Sequence, residues 1–304
     1  MTDCFIYDAV RTPRGRGKKD GSLHEVTALE LATQALRAIR DRNGLDTSAL
    51  DDVVMGCGAG SGDHAMDIAR MAALDAGWSL DAPGVTLNRF CGSGQQAVMF
   101  AAQGVLSGFQ DIVVAGGIES MSRPAPLHVD GFTANNDHLF AQYPMVAQGI
   151  SADLIASVEG FSREECDRIA FDSQNRAAAA LAEGRFDREI VPLEGLGHDE
   201  GPRQPDLDKI RSLRTLVPDG RITAAVSSQI SDASAALLIA SEEAVRTHGL
   251  RPRARIHHLS VRGADPVWML TAPIPATAHA LRRTGMTLDD IDLVEINEAF
   301  ASVV

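Results

Sequence analysis

The sequence predicts an α/β protein: a mostly parallel, helix-covered sheet built as two similar halves, with a further lobe inserted in the first half. Three observations predict it. Strand-like and helix-like apolar patterns alternate over the first 120 residues, the pattern that βα units leave in sequence. Between Glu119 and about Gly220 the alternation breaks, and proline, glycine and polar residues surround isolated helical pieces. Finally, ATQALRAIRDRNGLDTSALDDVVMG near the start resembles ATAHALRRTGMTLDDIDLVEIN near the end, an internal repeat.

Taken in order, FIYDAV is a short apolar strand. Residues 28–41 carry apolar side chains at helical spacing, with Leu29, Ala32, Leu36 and Ile39 on one face. DDVVMG reads as the next strand, MDIARMAALDAG as a helix, GVTLNRF as a third strand, GQQAVMFAAQGVLSG as a helix and DIVVAGG as a fourth strand. Within the inserted lobe, SREECDRIAFDSQNRAAAALAEG is helical. Regular signals then resume: ASAALLIASEEAVRTHG as a helix, ARIHHLSVRG as a strand, IPATAHALRRTG as a helix and DLVEIN as a strand. Aligned from Gly44 and Gly285, the repeat pairs Leu50 with Ile291, Val53 with Val294 and Gly56 with Asn297 without gaps. A second copy that stops shortly after its second strand suggests a fragment of a longer protein.

The 304 residues allow a large core and about two domains. A net charge of −13 argues against a nucleic-acid partner. No apolar run reaches 18 residues, so no membrane span is predicted. The start, MTDCFIYDAV, lacks the basic and long apolar segments of a signal peptide. Cys4, Cys57, Cys91 and Cys166 are widely spaced, with no CxxC pair and no Cys/His cluster of ligand spacing. That suits free thiols in a reducing cytoplasm, and no metal site is expected. The stretch RTPRGRGKK concentrates Arg11, Arg14, Arg16, Lys18 and Lys19; it reads either as a solvated or subunit-contact loop or as a phosphate-attracting rim.

The chemistry-bearing motif is LNRFCGSGQQAV at 87–98. An isolated free cysteine is usually a small buried hydrophobe. Cys91, however, stands where a strand meets a helix N-terminus, and free backbone N–H groups there favour a thiolate. Gly92 and Gly94 leave room for a substrate to approach, in the logic of a nucleophile elbow. GGIESMS (116–122) places two glycines at a strand's end, and NEAFA (297–301) places a carboxamide at another, where a turn-capping Asn is the alternative reading. GCGAGSG (56–62) is not a dinucleotide loop: its glycines fall at every second residue, and no acidic strand end follows.

In this order and at these separations, LNRFCGSGQQAV, GGIESMS and NEAFA resemble the thiolases over the whole chain, and RTPRG and GKKDGSLHEV add to the likeness, the latter towards β-oxidation members. The resemblance implies the thiolase fold, two duplicated βα halves with an inserted loop domain: an N-terminal domain over 1–262 with the loop domain at about 121–242, and the start of a C-terminal domain at 263–304. It implies acyl transfer between coenzyme A thioesters through a Cys91 acyl-enzyme, in the direction of 3-ketoacyl-CoA cleavage or of the reverse condensation. Asn297 would position a water in an oxyanion hole. Arg203 in DEGPRQPD would approach the nucleotide end of coenzyme A, with a solvated surface charge as the alternative. Ser228 would lie near the pantetheine, and Met269 and Phe300 would line the acyl pocket. Coenzyme A is implied as co-substrate, with no permanently bound cofactor. The implied partners are acyl-CoA substrates, a second copy of the chain in a homodimer or homotetramer, and a β-oxidation complex.

Thiolases also carry a G-H-P-x-G histidine and a C-x-G-G-G cysteine, and neither motif is in this sequence. Cys91 lies 35 residues after Gly56, whereas Val304 lies 7 after Asn297, so the symmetric helix start falls beyond Val304. The expectation is therefore little turnover by this chain alone. In the loop domain Ala225 and Val226 replace the family's Gly-Asn pair, and Gln229 and Ala233 replace glycines. A ketoacyl synthase would need an H-G-T-G-T histidine, which is lacking. The non-enzymatic alternative is a catalytically dead coenzyme A- or lipid-binding relative, or a partner-dependent subunit.

Overall fold

The computed structural model describes residues 2–64, 66–123, 136–248 and 251–304. The beginning of the inserted lobe and Gly249, the end of one expected helix, lie outside them. The strands are β1 (Cys4–Arg11), β2 (Gly15–Arg16), β3 (Asp52–Gly56), β4 (Val85–Leu87), β5 (Ile112–Ser120), β6 (Ser231–Ser241) and β7 (Ala254–Arg255). The helices are α1 (Ala28–Asn43), α2 (Ile68–Asp75), α3 (Ser93–Ser107), α4 (Asp137–Gln142), α5 (Gln148–Val158), α6 (Arg163–Ala182), α7 (Leu207–Arg211), α8 (Glu242–His248) and α9 (Pro273–Thr284). They form two compact units. One comprises Met1–Leu127, Arg185–Gly201 and Gln229–His257; the other comprises His128–Gly184, Pro202–Ser228 and His258–Val304.

The first unit holds one sheet of order β4-β3-β5-β6-β1-β7, with β2 also paired to β6. β3 runs parallel to β4 and β5, but β6 is antiparallel to both β5 and β1, and β7 is antiparallel to β1. The sheet is therefore mixed rather than mostly parallel. The difference traces to residues 233–241, whose Ala/Leu composition reads as helix and which fold instead as β6. Helix propensity is a weak preference that pairing overrides: β6 bonds to β5 from Asp232 to Ala240 on one side and to β1 on the other. The pairing is close enough to require glycine on β5: a Cβ on Gly116 would lie 2.0 Å from the Ala235 carbonyl oxygen. Only the following EEAVRTH forms a helix, α8.

α1 forms as its sequence dictates. Thr27 and Glu30 make a reciprocal capping box, and Gly44 at φ +55° ends the helix. Leu31, Ala32, Ala35, Leu36 and Ile39 are buried in the core beneath the sheet, while Leu29 is only partly covered. The basic stretch resolves as structure rather than as a phosphate rim for its three arginines. Arg11 pairs with Glu189 and Asp199, Arg14 with Asp199, and Arg16 with Asp20 and Glu200. Arg11 also lies over the Phe186 ring, 5.4 Å from its centroid. These contacts tie 186–200 onto β1, so this part of the expected insertion belongs to the sheet unit.

In the second unit α6 carries its own capping box, Ser162 with Glu165. Asp153 of α5 accepts the Arg221 and Ile222 N–H groups. Ala152, Cys166, Ile222, Val226, Phe300 and Ala301 form its apolar cluster. The repeat is visible in three dimensions: α1 and α9 each end at a left-handed glycine, Gly44 and Gly285, and each is followed by a 3-10 turn, Thr47–Ala49 and Leu288–Asp290. The copies then part. DVVMG becomes β3 between β4 and β5, whereas residues 292–297 are exposed and form no strand. A strand needs a neighbour for its N–H and C=O groups, and among the described residues 292–297 has no ladder. ARIHHLSVRG likewise contributes only Ala254 and Arg255, paired to Ile6 and Phe5.

Candidate active site

Three parallel strand ends meet in the first unit, where Gly56 of β3 pairs with Leu87 of β4 and with Gly117 of β5. The β4–α3 turn leaves this edge carrying Cys91. Cys91 is exposed, whereas Cys4, Cys57 and Cys166 are buried. Burial pushes the Cys4 thiol up to about 12 and raises those of Cys57 and Cys166 as well. The helix start behind Cys91 is open, since its N-cap, Gly92, supplies no side-chain cap.

Glycine makes the turn possible by close approach rather than by flexibility. A Cβ on Gly56 would lie 2.2 Å from the Ser93 carbonyl carbon and 2.4 Å from the Gly94 nitrogen, and one on Gly117 would lie 3.2 Å from Gly94 Cα. The first turn of α3 thus sits backbone to backbone on β3 and β5. Phe90, directly before Cys91, adopts φ +49°, a left-handed conformation that costs a non-glycine residue about 1–2 kcal/mol. Both of its backbone groups are held: its N–H donates to Asn88 Oδ1 at 2.8 Å, and its carbonyl accepts from Ser93 Oγ at 2.6 Å. Ser93 Oγ also accepts the Arg89 N–H at 2.8 Å.

GGIESMS contributes more than close packing. Glu119 turns its carboxylate into the GCGAGSG loop, where Oε2 accepts the Gly58 N–H at 2.8 Å and Oε1 accepts the Ala59 N–H at 3.2 Å. The loop's donors therefore serve an anion of the protein's own. Buried His64 accepts the Ser120 N–H at Nε2, 2.9 Å away, and Nε2 lies 3.4 Å from Glu119 Oε1. Its proton thus belongs on Nδ1, which has no partner. The ligand atoms of Cys57, His64 and Glu119 come within 4.8 Å of one another. No ligand spacing in the sequence signals this cluster, because Glu119 joins Cys57 and His64 from a distant segment of the chain. His64 Nε2 and both Glu119 oxygens are engaged by backbone N–H groups, so the arrangement works as a hydrogen-bonded clamp.

The other expected site residues lie in the second unit. Ser228 and Phe300 are brought together: the Ser228 N–H donates to the Ala299 carbonyl at 2.9 Å, and Ser227 bridges to Phe300. Phe300 packs into the apolar cluster, and exposed Asn297 sits on the same segment, its carbonyl accepting the Ala299 N–H at 2.8 Å. Met269 is half-buried with φ +23°. Arg203 is exposed; its N–H donates to Gln174 Oε1 at 3.0 Å. Arg203, Lys209, Gln174 and Ala225 line a cleft of about 260 Å3. Cys91 thus belongs to one unit, and Arg203, Ser228, Met269, Asn297 and Phe300 to the other. Among the described residues no helix is long and apolar enough to cross a membrane.

Comparison with known proteins shows the family. The profile "Thiolase, N-terminal domain" matches residues 4–243, and "Thiolase, C-terminal domain" matches residues 250–304. A steroid 3-ketoacyl-CoA thiolase of Mycobacterium tuberculosis (FadA6) is 46% identical over 320 residues, covering 100% of this chain and 78% of that protein. A beta-ketoadipyl-CoA thiolase of Pseudomonas aeruginosa is 40% identical over 329 residues, covering 99% of this chain and 81% of that protein. The crystal structure of the Bacillus anthracis acetyl-CoA acetyltransferase superposes with a TM-score of 0.89 at 35% identity, covering 100% of this chain and 82% of that one. The chain has the thiolase fold and belongs to the thiolase family of acyltransferases.

Proposed function

We propose that Cys91 is the acyl-accepting nucleophile of a thiolase that transfers acyl groups between coenzyme A thioesters. The observation that carries this reading is the turn itself: the one exposed cysteine among the four, in front of an uncapped helix N-terminus, held behind a strained Phe90. In the cleavage direction the Cys91 thiolate attacks the 3-keto carbonyl of a 3-ketoacyl-CoA. The C–C bond then breaks, its electron pair leaving as the acetyl-CoA enolate, which takes up a proton. Coenzyme A thiol next attacks the Cys91 thioester and carries the acyl group away, restoring the cysteine. Dividing one difficult cleavage into two thioester steps is what covalent catalysis achieves.

Asn297, exposed and polar at the corner equivalent to Gly56, positions the water of the oxyanion hole. Arg203 takes the nucleotide end of coenzyme A, supported by its place with Lys209 in the lining of the 260 Å3 cleft, where the two cations outnumber the one carboxylate, Asp206. Ser228 meets the pantetheine, and Met269 and Phe300 line the acyl pocket. In this reading residues 1–262 form the N-terminal thiolase domain and residues 263–304 open the C-terminal one, the loop domain keeping, of the expected 121–242, the segments outside the sheet unit. The assembly is a homodimer or homotetramer in the cytoplasm, with a β-oxidation complex as a further setting.

The test is the rate at which iodoacetamide alkylates each cysteine, read by peptide mass mapping with and without acyl-CoA. Cys91 labels first, and saturating acyl-CoA slows it about ten-fold or more, as occupancy of a site predicts. Cys91→Ser removes the fast phase. Binding of acyl-CoA without protection of Cys91 would instead favour a non-catalytic binding relative.

A further inference from the structure

We propose that Glu119 is a positioning residue for Cys91, acting through the backbone of Gly58 and the side chain of Asn88. This rests on the reading of Cys91 as the nucleophile. The path consists of four hydrogen bonds. Glu119 Oε2 and Oε1 receive the N–H groups of Gly58 and Ala59 at 2.8 and 3.2 Å. The Gly58 carbonyl in turn accepts Asn88 Nδ2 at 2.8 Å. Asn88 then accepts the Phe90 N–H through Oδ1, also at 2.8 Å. Phe90 is the left-handed residue that aims the chain at Cys91.

A strained conformation persists only where its surroundings over-determine it. Ser93 holds the Phe90 carbonyl from within the turn itself, but Asn88 can hold the N–H only if its own amide is fixed at the other end. That end is Gly58, and Gly58 is fixed by the Glu119 carboxylate. Side-chain size confirms how close the fit is: a Cβ on Gly58 would lie 2.9 Å from Glu119 Oε2. His64 secures the origin of the path by accepting the Ser120 N–H at 2.9 Å, immediately after Glu119. A carboxylate at the end of β5 thereby sets the geometry of a nucleophile at the end of β4, two strands away. Such supporting contacts keep a reacting atom in register, and small misplacements are costly.

The test is saturable alkylation by bromoacetyl-CoA. The Cys91 sulfur displaces bromide from the bromoacetyl carbon, the C–S bond forming as C–Br breaks. Maximal inactivation rate and half-saturating concentration are measured for wild type, Glu119→Gln, Gly58→Ala and Asn88→Asp, with thermal unfolding of each. Glu119→Gln removes one acceptor arm. Gly58→Ala, whose backbone needs no left-handed φ, pushes the carboxylate aside without altering its charge. Asn88→Asp keeps the Phe90 acceptor but loses the donor to Gly58. All three lower the maximal rate about ten-fold and leave half-saturation unchanged in folded protein. Variants that lose only thermal stability at an unchanged maximal rate overturn the proposal, as does a change confined to Glu119→Gln, which marks a charge effect. A wild-type chain that is not saturably alkylated overturns the nucleophile reading, and the proposal with it.

Discussion

Asp199 is the anion on which the arginines of RTPRG converge, and its titration is a measurable part of the stability of the sheet unit. The side chain is fully buried. It accepts Arg11 Nη1 at 2.7 Å and Nη2 at 3.0 Å, Arg14 Nη2 at 2.9 Å and the Arg14 backbone N–H at 2.9 Å. Burial alone would raise its pKa, but the hydrogen bonds from Arg11 and Arg14 outweigh that and hold it at about 2, against an ordinary 3.8. A depressed carboxylate contributes its stability fully above the unfolded-state value and loses it as pH falls toward the folded-state value. At about 1.4 kcal/mol per unit the whole effect is about 2 kcal/mol, of which about 1 kcal/mol is gone by pH 3. Asp199→Asn at pH 7 leaves two cations facing a neutral amide and costs about 3 kcal/mol. Urea unfolding of both proteins at pH 7, 5, 4 and 3 measures the gap. It should stay constant down to about pH 5 and then shrink by about 1 kcal/mol at pH 3, as wild type loses what the variant never had. A gap unchanged from pH 7 to pH 3 would refute the assignment of this carboxylate as the titrating anion.

Other changes probe the elements around the site. Thr27→Ala removes the side-chain half of the α1 capping box, the acceptor of the Glu30 N–H, and leaves the residue-27 N–H bonded to Glu30; it should lower unfolding free energy by about 1 kcal/mol, read as a shift in urea midpoint at constant slope. Gly56→Ala forces a methyl against the backbone of Ser93 and Gly94; the expected loss is about 1–3 kcal/mol, together with slower alkylation of Cys91, because the first turn of α3 must lift from the sheet. Normal labelling in a destabilised Gly56→Ala protein would separate core packing from nucleophile placement.

How much of this was legible depends on whether a feature is local. α1 announced itself through apolar spacing within one stretch of chain, and the cap of Thr27 with Glu30 and the terminal Gly44 that bound it in the structure are equally local. The Cys91 turn was legible for the same reason, since C-G-S-G between an apolar strand and an apolar helix is contiguous. β6 was misread because Ala and Leu within one window favour helix, while the strands that make it a strand lie more than a hundred residues away, at Ile112–Ser120 and Cys4–Arg11. The Glu119 clamp was invisible for a related reason. Gly58, Asn88 and Glu119 sit on three separate strand ends, and only the order of the sheet makes them neighbours. One sequence signal could have suggested it: an acidic residue two positions after a pair of glycines late in a strand, in a chain where an earlier strand opens into a glycine-rich loop.

The repeat explains why the two corners came to differ. In each copy a helix ends at a left-handed glycine, a 3-10 turn follows, and the chain reaches equivalent corners, Gly56 and Asn297. In the first copy that corner must accept the backbone of α3, and any side chain would strike Ser93 within 2.2 Å, so glycine is imposed by packing. In the second copy the aligned position is Asn297, a polar side chain. A duplicated unit can thus assign close approach to one copy and a carboxamide to the other. Asn297→Ala separates this division of roles from a structural one. As an exposed residue it should leave unfolding free energy within about 0.5 kcal/mol of wild type, while the maximal rate of any acyl transfer to Cys91 falls by about ten-fold or more, as loss of an oxyanion-stabilising contact requires.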